Sequence, residues 1–253
     1  MSNICVLGSI NMDIVLRVDR MVKTGETILS KDFKKVPGGK GANQAVAARR
    51  LGANVYMIGK VGHDGNGDML LKALENDDIN LTYTLIDSKE PTGMAIINVD
   101  DNGNNSIIVV PGSNMKITKA EINNSEEIIK NSNVIIAQFE TPVEVTTEAF
   151  KIAKNYGVIT ILNPAPAKEI KDELLKYTDI IVPNETEAYE LTKIKIEDEI
   201  SIKKAESAFP ESLRQVSIGS SSTQTSPGNV IKMASALDKD DRRESIQSAT
   251  SNL

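Results

Sequence analysis

Short apolar runs that end at turn residues recur along the chain, as expected for buried β-strands. These runs lie at residues 4–8, 55–59, 134–137, 158–162 and 179–182. Helical patterns lie between them, at residues 41–51, 67–76, 143–156, 168–176 and 186–191. Alternating strands and helices predict an α/β fold, with a mostly parallel sheet and helices on both of its faces.

Two regions carry strand patterns without intervening helices. Residues 14–36 and 83–110 mix apolar and charged positions, which suits a small, half-exposed sheet. The turn at residues 100–103 ends in glycine and predicts a hairpin between two of these strands. We therefore expect a second, smaller sheet built from both regions.

The regular pattern stops near residue 206. Serine becomes abundant, residues 220–228 are of low complexity, and residues 238–244 form a dense charge cluster. Such a segment buries too little apolar surface to offset the entropy lost on ordering. The sequence predicts one α/β domain over residues 1–205 and an atypical, disordered tail over residues 206–253.

Composition narrows the class of protein. The 253 residues are 40% hydrophobic and 25% charged, which is typical of a water-soluble domain. The net charge is -6, and an acidic protein lacks the basic surface that general nucleic-acid binding requires. No apolar run is long enough to span a bilayer, and the N-terminus has no basic leader. The single cysteine, Cys5, lies in an apolar run and fits a reducing compartment. We expect a cytoplasmic protein with no nucleic-acid or membrane partner.

A glycine-rich segment opens the first predicted helix. Gly38, Gly39 and Gly41 permit close backbone approach to a ligand, and the free N–H groups of a helix start attract anions. Lys40 is followed by glycine rather than Ser or Thr, so the segment is not a P-loop. A tight turn into a helix explains the same glycines equally well.

Polar residues follow several predicted strands. Asn11 and Asp13 follow the first strand and could bind hydroxyl groups, although a capped turn is the simpler interpretation. Glu140 follows the strand at residues 134–137. Asn184 and Glu187 follow the strand at residues 179–182, where they could form a capping box or orient Mg²⁺ near phosphates. Their shared position at carboxyl ends of strands favours one ligand site.

Several of these segments, in this order and spacing, resemble the ribokinase-like carbohydrate kinases over about residues 1–205. The matching segments are residues 8–13 (GSINMD), 38–45 (GGKGANQA), 59–64 (GKVGHD), 163–166 (NPAP) and 184–187 (NETE). The resemblance implies a ribokinase-like, Rossmann-type α/β domain with a small β-sheet lid. It also implies transfer of the γ-phosphate of ATP to the O5 hydroxyl of D-ribose, with Mg²⁺ and K⁺ as cofactors and a homodimer formed through the lid.

The resemblance also assigns roles to residues. Asn184 would lie beside the nucleotide phosphates, and Glu187 would act on Mg²⁺ indirectly. The residues that would bind or enclose the sugar are Asn11, Asp13, Gly39, Lys40, Gly41, Ala42, Asn43 and Glu140.

The sequence departs from the family in its last third. The family carries its general base in an Asp-Thr-x-Gly-Ala-Gly-Asp motif, which residues 1–253 do not contain, and its adenine pocket and monovalent-cation loop have no match. We therefore assign no catalytic base and expect a truncated or aberrant C-terminal portion, for example after a frameshift near residue 206. Three functions remain open: a D-ribose kinase, a kinase for deoxyribose or another pentose, and a non-catalytic sugar-binding remnant.

Overall fold

The computed structural model describes residues 1–210, 213 and 215–219. Its strands are β1 (Asn3–Leu7), β2 (Asn11–Arg17), β3 (Asp32–Gly38), β4 (Asn54–Gly62), β5 (Thr84–Asp87), β6 (Gly93–Val99), β7 (Asn105–Val110), β8 (Val134–Ala137), β9 (Ile159–Leu162), β10 (Ile180–Ile181) and β11 (Gln215–Val216). Its α-helices are α1 (Lys40–Arg50), α2 (Gly65–Asn76), α3 (Lys119–Asn124), α4 (Glu126–Lys130), α5 (Val143–Asn155), α6 (Asp172–Leu175), α7 (Glu185–Thr192) and α8 (Glu199–Glu206). A 3-10 turn spans Gly112–Lys116.

The main sheet has seven strands in the order β11-β10-β9-β8-β1-β4-β5. Each neighbouring pair is parallel. Parallel strands in one sheet need crossover connections, and helices supply most of them here. The predicted α/β class with a mostly parallel sheet is confirmed.

Apolar side chains cover both faces of this sheet, as its continuous apolar strands require. Ile4 and Val6 point to one face, where α1 and α2 pack. Cys5 and Leu7 point to the other, where α3, α4 and α5 pack. Cys5 is fully buried, in agreement with its predicted place in the core.

The small sheet has four strands in the order β3-β2-β6-β7. Strands β6 and β7 are antiparallel and joined at Gly103, whose φ of 81° suits glycine, so the predicted hairpin is confirmed. Two predictions were wrong in detail. Residues 84–87 form β5, which pairs with β4 at the edge of the main sheet. Residues 11–13, expected in a loop, already belong to β2, since the chain enters the small sheet almost directly after β1.

The predicted helix at residues 168–176 shortens to α6. Lys168 instead extends back towards the end of β8, where its ammonium group donates to the carbonyl oxygen of Phe139 at 3.1 Å.

The main sheet continues past residue 205, where the sequence predicted that the domain ends. Helix α8 reaches Glu206, and β11 pairs with β10 in parallel register. The remaining residues of the predicted disordered tail, namely 211, 212, 214 and 220–253, lie outside the described residues. Within the described part of the chain, no helix is long and apolar enough to cross a bilayer.

The start of α1 packs against the end of β1 at a contact between two glycines. A Cβ atom on Gly41 would lie 2.6 Å from the Cα and carbonyl carbon of Gly8. The N–H of Ala42 donates to the carbonyl oxygen of Ser9 at 2.9 Å. The helix and strand can therefore meet only backbone to backbone, which fixes where α1 begins.

We predict that Gly41→Ala destabilises the protein by about 1–3 kcal/mol, because the new methyl group would collide with backbone rather than with a movable side chain. Denaturant unfolding measures the loss. Gly65→Ala is the matched control, since a Cβ at Gly65, also at a helix start, would have no atom within 4 Å. Equal stability of the two variants would contradict the close contact.

Candidate functional site

A cleft of about 570 Å³ lies between the carboxyl edge of the main sheet and the small sheet. One side is polar and the other is apolar. The polar side chains that line it are those of Asn11, Asp13, Lys40, Asn43, Asn114 and Glu140. The apolar side chains come mainly from the small sheet: Ala95, Ile97, Ile107 and Val109.

Strand register explains why the small sheet turns one apolar face to the cleft. Side chains two residues apart in a strand share a face. Asp13 pairs with Ala95, and Ala95 pairs with Val109, so all three lie on the same face of the sheet. Ile97 and Ile107 pair with each other one step further along that face. This face therefore carries Asp13 beside Ala95 and Val109, and apolar side chains one step further along.

The glycine-rich segment wraps around the polar floor. Gly39 has φ 95°, a backbone conformation that favours glycine. A Cβ at Gly39 would lie 2.7 Å from both the backbone nitrogen of Asn11 and the carbonyl oxygen of Ser9. Glycine is thus required both for the turn into α1 and for contact with the chain between β1 and β2. The tight-turn interpretation is correct for Gly39, and the same turn brings Lys40 and Asn43 to the cleft.

Glu140 closes the floor from the end of β8. Its Oε2 accepts a short hydrogen bond from the Ser9 hydroxyl and one from the N–H of Lys40 at 3.3 Å. The second contact places a carboxylate at the N-terminus of α1, where the helix dipole favours negative charge. Glu140 is consequently held beside the loop that the sequence grouped with it.

Asp13 lies in an environment that disfavours its ionised form. Partial burial and the neighbouring charge of Glu140 raise the pKa of Asp13 from 3.8 to about 6, while the charge of Lys40 acts in the opposite direction. Two carboxylates and one ammonium group therefore share the polar floor. Such a site favours neutral, hydroxyl-rich ligands that donate hydrogen bonds to carboxylates.

Asn114 also lines this cleft, although no sequence motif predicted it. It lies in the 3-10 turn after β7, and its Nδ2 donates to Oδ1 of Asn11 at 2.7 Å. Asn114 is 1% exposed. It is distant from Asn11 in sequence and has no motif around it, so only the folded chain brings the two amides together.

Gly41 and Ala42 were predicted to contact the ligand, but the structure places both behind the cleft wall. Gly41 packs on the backbone of Gly8, and Ala42 is buried in the hydrophobic core beside α1. Their contribution to the site is therefore the position of the loop.

Asn184 follows β10 as the N-cap of α7 and Glu187 lies in the first turn of that helix, and neither is among the residues that line the cleft. The side chain of Asn184 accepts from the N–H of Glu187 at 2.7 Å, and Oε2 of Glu187 accepts from the N–H of Asn184 at 2.9 Å. The predicted capping box is confirmed. Burial raises the pKa of Glu187, and the charge of Lys40 lowers it. Lys40 thus acts electrostatically on both this position and Asp13.

Among the described residues, no group of three or more His, Cys, Asp or Glu side chains is arranged to hold a metal ion. Glu187 offers carboxylate oxygens that are already bonded to the capping residue.

We predict that Asp13 lowers stability as pH rises. A carboxyl group with a raised pKa holds its proton in the folded state at a pH where the unfolded chain has released it, so stability falls between about pH 4 and pH 6. Asp13→Asn removes this dependence and should gain stability relative to the parent protein across that window. Chemical denaturation at several pH values measures the difference.

Glu75→Gln, which removes an exposed charge on α2, serves as the control for this experiment and should follow the parent protein. A parent protein that instead gains stability relative to Asp13→Asn over the same window would contradict the raised pKa.

Comparisons with known proteins agree with the fold. The family model described as pfkB family carbohydrate kinase matches residues 1–228. A ribokinase of Staphylococcus aureus is 42% identical over 203 residues, which are 80% of this chain and 67% of that protein. A bifunctional ribokinase/ribose-5-phosphate isomerase A of Fructilactobacillus sanfranciscensis is 47% identical over 203 residues, which are 80% of this chain and 38% of that protein.

Among solved structures, Arabidopsis thaliana ribokinase complexed with ribose and ATP superimposes with a TM-score of 0.84 at 28% identity. The match covers 98% of this chain and 90% of that one. Sequence and structure thus point to the same group of proteins, and the chain belongs to the pfkB family of carbohydrate kinases, within the ribokinase type.

Proposed function

We propose that the protein binds D-ribose in the cleft and transfers the γ-phosphate of ATP to its O5 hydroxyl. The observation that carries this proposal is the cleft, in which the polar side chains of Asn11, Asp13, Asn43 and Glu140 lie next to apolar side chains of the small sheet. Carboxylates accept hydrogen bonds from hydroxyl groups, and amides both donate and accept them. The apolar sheet would cover the sugar and exclude water that competes as phosphoryl acceptor. The Arabidopsis relative, described as complexed with ribose and ATP, supports the same substrates.

Nucleotide phosphates would lie towards Asn184 and Glu187. Lys40 supports this arrangement, because its charge influences Asp13 in the cleft as well as Glu187 at α7. A cation between a sugar site and a phosphate site is suited to the negative charge of a transferring phosphoryl group. In this arrangement Lys40 would orient the phosphoryl group, and the Gly39 turn would hold Lys40 in place.

Glu187 is the described residue that we propose for Mg²⁺. Glu187 is a hard oxygen donor, and Mg²⁺ in kinases is held largely by phosphate oxygens and water. Glu187 would therefore act on the ion through water, and the ion would neutralise phosphate charge. The expected requirement for K⁺ rests on family membership alone.

Binding and transfer have unequal support. Binding needs only the cleft, whereas transfer also needs a base for the O5 proton. Residues 1–253 contain no Asp-Thr-x-Gly-Ala-Gly-Asp segment, which favours a second candidate function, namely sugar binding without turnover. A kinase for deoxyribose or another pentose is the alternative within the enzyme class.

We predict that Asp13→Asn lowers ribose affinity by about 10–100-fold, since a hydrogen bond to a charged group contributes about 1.5–3 kcal/mol. Calorimetric titration with D-ribose measures this loss, and 2-deoxyribose in the same assay tests the alternative pentose. Glu75→Gln should bind like the parent protein.

Turnover is measured separately, as ADP release with ATP, Mg²⁺, K⁺ and ribose. Ribose-dependent ADP release supports the kinase. Ribose binding without ADP release supports the second candidate, and an absence of ribose binding would overturn both.

We also propose that the protein forms a homodimer through the small sheet. Its edge strands expose apolar side chains, with Phe33 54% and Ile108 60% exposed. An exposed apolar patch of this kind is typical of an interaction surface. A cytoplasmic location remains a prediction from the sequence.

We predict that Ile108→Lys converts the dimer to a monomer, because a charge would have to be buried in the interface. Sedimentation velocity measures the assembly state. Ile200→Lys is the control, since Ile200 is 77% exposed and lies on α8, which precedes the edge strand β11 of the main sheet. A dimer that survives Ile108→Lys, or a monomeric parent protein, would contradict the proposed interface.

A further inference from the structure

Asn114 pairs with the backbone of Ile10 in a way that fixes which end of its amide points where. The N–H of Ile10 donates to Oδ1 of Asn114 at 2.9 Å, and the carbonyl oxygen of Ile10 accepts from Nδ2 at 3.3 Å. A reversed amide would face donor to donor and acceptor to acceptor. Nδ2 also donates to the carbonyl oxygen of Pro111 at 3.0 Å, which reinforces the same orientation.

The fixed amide of Asn114 in turn fixes the amide of Asn11. Nδ2 of Asn114 lies 2.7 Å from the side chain of Asn11, and it can only donate. Asn11 must therefore present Oδ1 to Asn114, which is the orientation in the structure. The amide nitrogen of Asn11 is then the part of this side chain left for a ligand in the cleft that Asn11 lines.

Gly93 makes room for this pair of amides. It is the residue of β6 that pairs with Asn11. A Cβ at Gly93 would lie 2.2 Å from Nδ2 of Asn114 and 2.3 Å from Oδ1 of Asn11. The pair of amides thus lies where the small sheet meets the main domain, beside the first residue of β6.

We propose that Asn114 is a positioning residue that makes Asn11 a hydrogen-bond donor to a sugar oxygen. The backbone of Ile10 sets the orientation of the Asn114 amide, and the Asn114 amide in turn sets the orientation of the Asn11 amide. This arrangement complements the acidic part of the floor, where Asp13 and Glu140 can accept hydrogen bonds from hydroxyl groups. The inference deepens the proposed function, on which its sugar-binding part rests.

The orientation itself can be tested without any ligand. In protein labelled with ¹⁵N-asparagine, the side-chain amide protons of Asn114 should exchange with deuterium more slowly than those of Asn11, because Nδ2 of Asn114 is buried and bonded. Asn114→Ala and Asn11→Ala assign the two signals. Exchange of the Asn114 protons as fast as those of exposed Asn124 would overturn the inference, whether or not the protein binds ribose.

The consequence for binding is tested with D-ribose by calorimetry. Asn114→Ala should weaken binding by about tenfold, because the freed Asn11 amide loses its orientation and a hydrogen bond contributes about 0.5–1.5 kcal/mol. The same change made in an Asn11→Ala background should alter affinity by less than about twofold, since Asn114 acts through Asn11. A similar loss in both backgrounds would show a merely structural role and overturn the inference.

Ser113→Ala is the matched control. Ser113 lies in the same turn, is fully buried, and its hydroxyl donates to the carbonyl oxygen of Lys60 at 2.9 Å. The Ser113→Ala variant should lose stability without losing ribose affinity.

When ribose is added to the parent protein, the side-chain amide protons of Asn11 should become protected from exchange. Ribose binding that leaves them unprotected would contradict the donor role, whereas no ribose binding by the parent protein would overturn the proposed function alone.

Discussion

The contact between Gly8 and Gly41 is the constraint on which the rest of the site depends. It lets the first helix begin directly against the end of the first strand, with no side chain between them. The chain between β1 and β2 then runs beneath the glycine-rich turn, so that Asn11, Asp13 and Lys40 reach one cleft. Each further element of the site is positioned relative to this contact, including Glu140, which accepts from the N–H of Lys40.

The second feature of the molecule is the short connection between its two sheets. Strand β2 starts four residues after β1 ends, so the small sheet is attached at the floor of the cleft rather than on a long arm. The apolar side chains of this sheet therefore lie beside the polar groups of the cleft. Asn114, which follows the last strand of the small sheet, contacts the residues at the start of its first strand. It bonds the backbone of Ile10 and the side chain of Asn11.

Electrostatics divide the candidate site into two parts. In the cleft, burial and the nearby charge of Glu140 raise the pKa of Asp13, which suits the binding of a neutral ligand through hydroxyl groups. At α7, Glu187 is buried in a capping box, so its carboxylate already has partners. Lys40 is the charge that both parts share.

The sequence alone was enough to predict the parallel sheet, its helices on both faces, the hairpin at Gly103 and the capping box at Asn184, because each depends on local periodicity or on a few neighbouring residues. It also brought Asn11, Asp13, Lys40, Asn43 and Glu140 together, through strand ends and family motifs. The folded chain was needed to show that residues 84–87 join the main sheet and that β11 extends it beyond residue 205. The same holds for Asn114 beside Asn11, and for Gly41 and Ala42 behind the cleft wall. The reason is physical. Strand pairing and buried polar contacts join residues that are far apart in the chain, and local sequence pattern does not show which distant residues will be in contact.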